Sequence, residues 1–151
     1  MTLQADGKIL LVGSSVIGGN QDFLLIRLNT DGRLDTSFDG DGRAIIPVGT
    51  TYDHGYAITL QADGKILVAG TSNDVFSLIR LNANGSLDTS FDVDGKVMIP
   101  VGTSDDNGYT IALQSDGKIL LAGYSSNSSI LDFSLIRLNG LDPVFQYRRY
   151  V

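Results

Sequence analysis

The chain has 151 residues, and its 17 acidic against 11 basic side chains give a formal net charge of −6. All the acidic residues are aspartate and 18 residues are glycine, so turn formers are abundant while glutamate, a strong helix former, is absent. This composition excludes a mainly helical protein, and the lack of cysteine excludes disulfides. The negative charge argues against a nucleic-acid surface, and apolar runs of at most four residues predict no membrane span.

Two sequence blocks recur along the chain. LQADGKILLVG at residues 3–13 returns as LQADGKILVAG at 60–70 and as LQSDGKILLAG at 113–123. A second block, LIRLNTDGRLDTSFDGDG from Leu25, returns from Leu78, and its first five residues return from Leu135. The two blocks lie four residues closer together in the second repeat. One connection therefore changes length while the rest of the repeat is kept.

Four strands, A to D, are predicted in each repeat, and the second repeat shows them most completely. In chain order they are strand A at 56–61, strand B at 65–70, strand C at 76–82 and strand D at 96–101. Asp63-Gly64 between A and B predicts a type I′ turn, in which both central residues need positive φ. Small residues place strand A innermost, and Pro47 and Pro100 place strand D at an outer edge, where a missing backbone donor is tolerated.

Repeats of this length with four antiparallel strands predict an all-β, propeller-like fold, with a β-solenoid or a plain sandwich as the alternatives. We expect one repeat domain over 1–151, with blade 1 at about 1–50, blade 2 at about 51–103 and a partial blade 3 at about 104–151. The first repeat lacks most of its inner strand, and the tail at 146–151 matches no earlier strand D.

The motifs DGKILVAG, IRLN and LDTSFDxDG, where x is any residue, resemble the delta-60 repeat over nearly the whole chain. That family is a bacterial propeller-type repeat, found in tandem in large and often surface-associated proteins. The resemblance implies a β-propeller in a bacterial cell-surface or secreted parent protein, and it brings no catalytic residue. The first residues, MTLQADGKILLVGSS, lack the features of a secretory signal, so we expect none in this chain.

Three blades are fewer than the four to eight of a closed propeller. An open arc leaves a blade face bare at each end, and about six aliphatic side chains there would cost roughly 1.5 to 3 kcal/mol each. That loss rivals the stability of a typical domain. We therefore expect a homo-oligomer, two copies of which would supply six blades, or the remaining blades of a longer propeller.

An arginine recurs between aliphatic residues of strand C and is followed by an aspartate. The pairs are Arg27 with Asp35, Arg80 with Asp88, and Arg137 with Asp142. A ring of anion-binding arginines is one interpretation. We favour a structural ion pair that braces the C to D turn, because a charge between aliphatic neighbours needs a partner and a position repeated in every blade usually serves the blade.

Acidic residues in the C to D turns leave a calcium site open as an alternative to turn capping. The segment 29–35 carries part of a calcium-loop pattern, although Arg27 occupies the first ligand position and no glutamate is present to complete the loop. A second acidic pair lies beside a glycine in two repeats: Asp39 with Asp41, and Asp92 with Asp94. We favour turn capping and no cofactor.

The B to C and D to A connections emerge together at one end of a blade, and only these connections vary between repeats. Loops on a rigid scaffold are where binding residues usually lie, so we predict any ligand site there. The candidates are Tyr52, Asp53, His54, Asn73, Asp74, Asp105, Asp106, Asn107, Asn127 and Asp132. A metal or general-base role for His54 is the alternative to a solvated loop histidine, which we favour.

No nucleophile elbow, phosphate-binding glycine loop or zinc-type histidine pair occurs in the sequence. We therefore expect a non-catalytic scaffold or recognition module that presents protein or glycan contacts. The alternatives are a self-assembling unit that forms rings or filaments, and a propeller lyase or hydrolase that uses acidic loop residues. A convergent cluster of carboxylates with a basic or metal partner would favour the enzyme.

Overall fold

A computed structural model describes residues 1–127 and 130–140 with their side chains and the backbone of 146–149. These residues form three antiparallel sheets of four strands each. The strands are β1 (Thr2–Leu3), β2 (Ile9–Ile17), β3 (Asn20–Leu28), β4 (Arg43–Ile46), β5 (Asp53–Leu60), β6 (Ile66–Ser72), β7 (Val75–Leu81), β8 (Lys96–Ile99), β9 (Asn107–Leu113), β10 (Ile119–Asn127), β11 (Ile130–Leu138) and β12 (Gln146–Arg149). Within the described residues, no helix is long and apolar enough to span a membrane.

Each sheet is one blade, with its strands ordered as they occur in the chain. The first strands of neighbouring blades contact each other, β1 with β5 and β5 with β9, which places them at the inner edge. The last strand of each blade, β4, β8 or β12, forms the opposite edge. The predicted all-β blade architecture, with strand A inside and strand D outside, is confirmed.

The third blade is more complete than the sequence predicts. Residues 146–149 match no earlier strand D, yet β12 pairs antiparallel with β11, with Ser134 opposite Arg149 and Arg137 opposite Gln146. Backbone hydrogen bonds supply this pairing whatever the side chains, so sequence similarity is not needed for it. The third blade thus has a fourth strand that the sequence pattern does not predict.

The A to B turns differ from the predicted type I′ geometry. Of Asp63 and Gly64, only Gly64 has positive φ, at 84°. Gly64 N–H donates to the Gln61 carbonyl, and Gln61 N–H donates to the Lys65 carbonyl. This is a three-residue connection that ends in a left-handed glycine, and the Asp63 carboxylate caps it by accepting the Lys65 N–H at 3.1 Å.

The B to C connections, predicted as loops over 14–22, 71–75 and 124–132, are mostly strand. In blade 1, β2 and β3 continue to the pair Ile17 and Asn20, and only Gly18-Gly19 forms the turn. In blade 2, Asn73-Asp74 forms it, with φ of 46° and 59°. The hairpin of blade 1 is therefore longer than that of blade 2 by two residues on each strand, which accounts for the four-residue difference in the sequence. An even change of two per strand keeps every side chain on its own face.

The two prolines end strands and do not interrupt them. Pro47 follows β4, which ends at Ile46, and Pro100 follows β8, which ends at Ile99. The prediction that they lie within strand D is therefore wrong by one residue. No ladder hydrogen bond is lost, because each proline lies just outside the paired segment.

The core consists of two apolar layers, one between each pair of neighbouring blades. The first joins blades 1 and 2 and includes Leu10, Phe23, Ile66 and Ile79. The second joins blades 2 and 3 and includes Leu67, Phe76, Ile119 and Ile136. The middle blade contributes to both layers, and all seven residues of β6 are buried. The blades therefore depend on their neighbours for burial of their faces.

Candidate functional site

Two of the predicted ligand residues are buried braces between blades. Asp53 accepts the backbone N–H of Val48 at 2.7 Å and of Gly49 at 3.1 Å, and also the hydroxyl of Ser72. Asp106 repeats the arrangement with the N–H of the two residues that follow Pro100, at 2.7 and 3.0 Å. Both side chains are almost fully buried. The prediction that they face a ligand is wrong, because their oxygens already hold the D to A connection.

The first recurring arginine forms a buried clamp that crosses to the next blade. Arg27 Nε donates to Asp35 Oδ2 at 2.7 Å, and Nη2 donates to Ser37 Oγ at 3.0 Å. Its Nη1 donates to the Ala83 carbonyl of blade 2 at 2.6 Å. The guanidinium lies 4.7 Å from the centre of the Phe38 ring. Every part of this side chain is engaged within the protein, which supports a structural role.

The second arginine repeats the clamp between blades 2 and 3. Arg80 Nε donates to Asp88 Oδ2 at 2.6 Å, and Nη1 donates to the Gly140 carbonyl at 2.8 Å. Lys65 Nζ also lies 2.8 Å from Asp88 Oδ2. In the third repeat Arg137 lies half-buried on β11, and Asp142 is outside the described residues.

The paired aspartates are held in their charged form. Hydrogen bonds from Ser37 and then Lys8 hold the pKa of Asp35 well below its usual range. Burial tends to raise the pKa of Asp88, but hydrogen bonds from Lys65 and Ser90 outweigh it, and that pKa is also well below its usual range. These carboxylates are structural anions at neutral pH.

A row of aromatic side chains runs along the inner edge of blades 2 and 3. His54 and Tyr56 on β5 stack with ring centroids 5.9 Å apart and planes inclined by 8°. Tyr56 lies 5.0 Å from Tyr109 on β9, and Tyr109 lies 5.6 Å from Tyr124 on β10. Tyr56 and Tyr109 are 40% and 47% exposed. We call these four residues the aromatic row.

A β-bulge in β5 and another in β9 place the two central tyrosines of the row. The pairing of β5 with β6 passes from Gly55 to Ala57 and leaves Tyr56 without a partner residue, and the pairing of β9 with β10 omits Tyr109 in the same way. Bulges redirect side chains and are common beside binding sites. Glycine precedes each tyrosine because a Cβ at Gly55 would approach blade 1 side chains to 2.6 Å.

His54 is part of strand β5 and is half-buried, so its interpretation as a solvated loop histidine is wrong. Its Nδ1 lies 3.4 Å from both Ser14 Oγ and Gln21 Nε2 of blade 1. The equivalent residue in blade 3 is Asn107, whose Oδ1 accepts the Thr71 hydroxyl at 3.1 Å. His54 and Asn107 each thus contact a polar side chain of the preceding blade.

The tyrosines of the row influence each other. Burial raises the pKa of Tyr56 above its ordinary value, and the neighbouring Tyr109 raises it further by a smaller amount. A hydrogen bond to Tyr109, and then burial, raises the pKa of Tyr124. The phenols are neutral near pH 7, where they can donate and accept hydrogen bonds.

The other predicted ligand residues are divided between the site and the scaffold. Asp105 and Tyr52 are exposed. Asn73 is a scaffold residue, because its Oδ1 accepts the N–H of Thr50 at 3.0 Å and of Thr51 at 3.1 Å. Asp74 lies in the hairpin turn of blade 2. Asn127 is half-buried on β10, and Asp132 is buried on β11.

Aspartates of the predicted acidic pairs cap their turns. Among the described residues no three histidine or aspartate side chains are grouped to hold a metal. Asp41 accepts the Arg43 N–H at 2.8 Å, and Asp94 accepts the N–H of the first residue of β8 at 3.0 Å. Their neighbours Asp39 and Asp92 occupy left-handed positions of the turns, with φ of 48° and 46°.

Sequence reasoning missed the tyrosines of the row. The signal was the tetrapeptide Asp-x-Gly-Tyr, where x is any residue, which occurs at 53–56 and again at 106–109. We assigned its first two positions to a binding loop and its tyrosine to a strand. The structure reverses these roles, since the aspartate is buried and the tyrosine is exposed.

The family comparison agrees with the architecture. A search of curated proteins finds no significant match. A family model described as a domain of unknown function (DUF5122) β-propeller matches three segments, residues 4–38, 61–91 and 114–140. Each segment begins at the glutamine that precedes an A to B turn, so the matches follow the repeat found in the sequence. Because they cover more than half of the chain and coincide with its three blades, the chain belongs to the DUF5122 β-propeller family.

Proposed function

We propose that this chain is a non-catalytic recognition module that binds a neutral glycan along the aromatic row. The observation that carries the proposal is the row itself, in which two bulged tyrosines of neighbouring blades stand partly exposed and in contact. Contiguous exposed apolar surface often marks an interaction site, whereas single exposed apolar residues do not. The setting that we propose, a bacterial surface or secreted protein, rests on the resemblance to delta-60 repeats.

Sugar rings suit this surface better than charged ligands do. The aliphatic faces of a pyranose stack on aromatic rings, while its hydroxyls need donors and acceptors at the side. The partly exposed phenols of Tyr56 and Tyr109 can supply these. The net charge of −6 and the exposed Asp105 disfavour an anionic ligand.

A preorganised site needs little ordering on binding. Tyr56 is held between His54 and Tyr109, and Tyr109 also contacts Tyr124. Aromatic side chains have few rotatable bonds, so their contact area is gained at a small entropic cost. Several carboxylates that an enzyme would need, those of Asp53, Asp106 and the clamp aspartates, are committed to the scaffold, which supports recognition over catalysis.

The test is titration of the chain with cellohexaose, maltohexaose and chitohexaose, followed by calorimetry and by tyrosine fluorescence, which no tryptophan obscures. We expect at least one of these to bind. Tyr56→Ala and Tyr109→Ala should each weaken that binding roughly tenfold or more, since central aromatic contacts carry most binding energy.

The matched control is Tyr52→Ala, which removes an exposed tyrosine that is not in the row. It should leave the affinity unchanged. The proposal fails if none of the three sugars binds, or if the row variants bind as well as the control. Tighter binding of an anionic oligogalacturonate would contradict the neutral ligand class.

A further inference from the structure

Every blade has two different apolar faces, and each blade-to-blade contact joins one of each kind. We call the face that a blade turns to the next blade its leading face and the opposite one its trailing face. In blade 2, both faces are covered. Its leading face consists of Leu67, Ala69, Phe76 and Leu78, which pack on blade 3. Its trailing face consists of Ile66, Val68, Ile79 and Leu81, which pack on blade 1.

The two end blades each leave one of these faces uncovered. Blade 1 has an open trailing face, and the residues at the repeat-equivalent positions are only half-buried: Ile9, Leu11, Ile26 and Leu28. Blade 3 has an open leading face that includes Leu120 and Leu135. There Phe133 is 57% exposed, whereas its equivalent Phe76 is fully buried. Blades 1 and 3 therefore expose, on their second and third strands, the apolar positions that pack together in the internal contacts.

We propose that a second copy of this chain covers these faces head to tail, with the leading face of blade 3 packed on the trailing face of blade 1 of the other copy. The pairing repeats the strand B and strand C part of a contact that the chain already makes twice internally. Two copies related by a two-fold axis then make two such contacts and close a ring of six blades. This number falls within the range of closed propellers.

An independent feature points to the second copy as the occupant. Blades 1 and 3 carry the two long B to C hairpins, while the hairpin of blade 2 is shorter. At their tips, Ile17 on the trailing face of blade 1 and Leu131 on the leading face of blade 3 are apolar and more than half exposed. Within one chain, blade 2 separates these tips. They become neighbours only when blade 3 of one copy meets blade 1 of another.

The polar part of the contact has an equivalent as well. Arg27 and Arg80 each donate from Nη1 to a carbonyl of the next blade, that of Ala83 and that of Gly140. The residue at the same repeat position in blade 1 is Thr30. In the ring, its carbonyl faces Arg137 of the other copy. One acceptor of the internal clamps thus has an equivalent position on blade 1.

Sedimentation of the full chain at micromolar concentration tests the proposal. We expect about twice the 16.1 kDa mass of the chain. Phe133→Asp blocks the leading face and Leu11→Asp blocks the trailing face, so each variant alone should be monomeric. Mixed together, they should form a heterodimer, because the intact trailing face of one still fits the intact leading face of the other. A face-to-face dimer would not show this complementation.

Two further sets of variants keep the outcome clear if a charge on a face impairs folding. Ile17→Asp and Leu131→Asp change side chains that are already exposed, and each should weaken the dimer roughly tenfold without changing the circular dichroism spectrum. Val93→Asp alters an exposed apolar residue of a C to D turn and should leave the dimer intact. A stable monomer at roughly 0.1 mM, within the micromolar-to-millimolar range where exposed apolar surface associates, would overturn the proposal. So would an open-ended filament, or a dimer unaffected by both face variants.

Discussion

At the scale of single residues, the arginine clamps explain how a charged side chain is accommodated within strand C. Each guanidinium donates to a carboxylate, a hydroxyl and a carbonyl, and its face lies against a phenylalanine ring. A buried charge is tolerated only when it is paired and hydrogen-bonded. Because one of the acceptors belongs to the next blade, the clamp also links neighbouring blades.

Replacement of Arg80 by methionine should therefore reduce stability. We expect Arg80→Met to lower the free energy of unfolding by about 3 kcal/mol, the lower end for breaking a buried pair, because Lys65 still neutralises Asp88. Denaturant unfolding measures the loss. Arg33→Met, at an exposed ion pair with Asp31, should change stability by less than about 0.5 kcal/mol. Similar losses for the two variants would contradict the clamp.

The two clamp aspartates predict sensitivity to acid. Their pKa values are lowered in the folded state, so their contribution to stability is present above the ordinary value of 3.8 and is lost as the pH falls below it. The thermal midpoint should be level from pH 7 to about pH 5 and fall below about pH 4. Asp88→Asn should lower the midpoint at pH 7 and flatten the acid decline. The exposed substitution Asp31→Asn should leave the decline unchanged, and equal curves for both variants would refute the prediction.

At the scale of strands, a glycine in strand B sets how closely strand A approaches. A Cβ at Gly70 would collide with the His54 carbonyl, and one at Gly123 would collide with the Asn107 carbonyl. Both glycines lie opposite the bulges that carry Tyr56 and Tyr109. The close approach and the exposure of the tyrosines are therefore parts of one local structure.

A single methyl group should disturb that structure. We expect Gly70→Ala to destabilise the protein by about 1 to 3 kcal/mol, the usual cost of overpacking, as measured by thermal or denaturant unfolding. Gly13→Ala is a matched control at the equivalent position of blade 1, where an added Cβ has no atom within 4 Å. It should be tolerated, and a comparable loss at Gly13 would show that the strand contact is not the cause.

Strand positions were predictable to within a few residues, and turn geometry was not. The prediction for strand C, 76–82, compares with β7 at Val75–Leu81. The A to B turn was assigned the wrong type because Asp-Gly fits two hairpin geometries, and the choice between them depends on the register of the flanking strands. The long B to C hairpins resemble loops in sequence, because serine, glycine and asparagine are common both in loops and in these hairpins.

At the scale of the whole molecule, the sequence predicted the propeller because the repeat supplies the same evidence three times. It could not predict the aromatic row, since an exposed tyrosine in a strand looks like a buried one until a bulge is known. The backbone pairing of β12 was hidden for a similar reason, because its residues share no pattern with β4 or β8. The glycan ligand, the second copy and the surface setting stay predictions.

The hairpins of blades 1 and 3 have a practical consequence. Each of them is longer than the hairpin of blade 2 by two residues on each strand. The hairpin can therefore be lengthened by two residues per strand while every side chain stays on its own face of the sheet. A peptide epitope grafted at the Gly18-Gly19 turn would stand at the tip of the blade 1 hairpin, and the packing between blades within the chain would be kept.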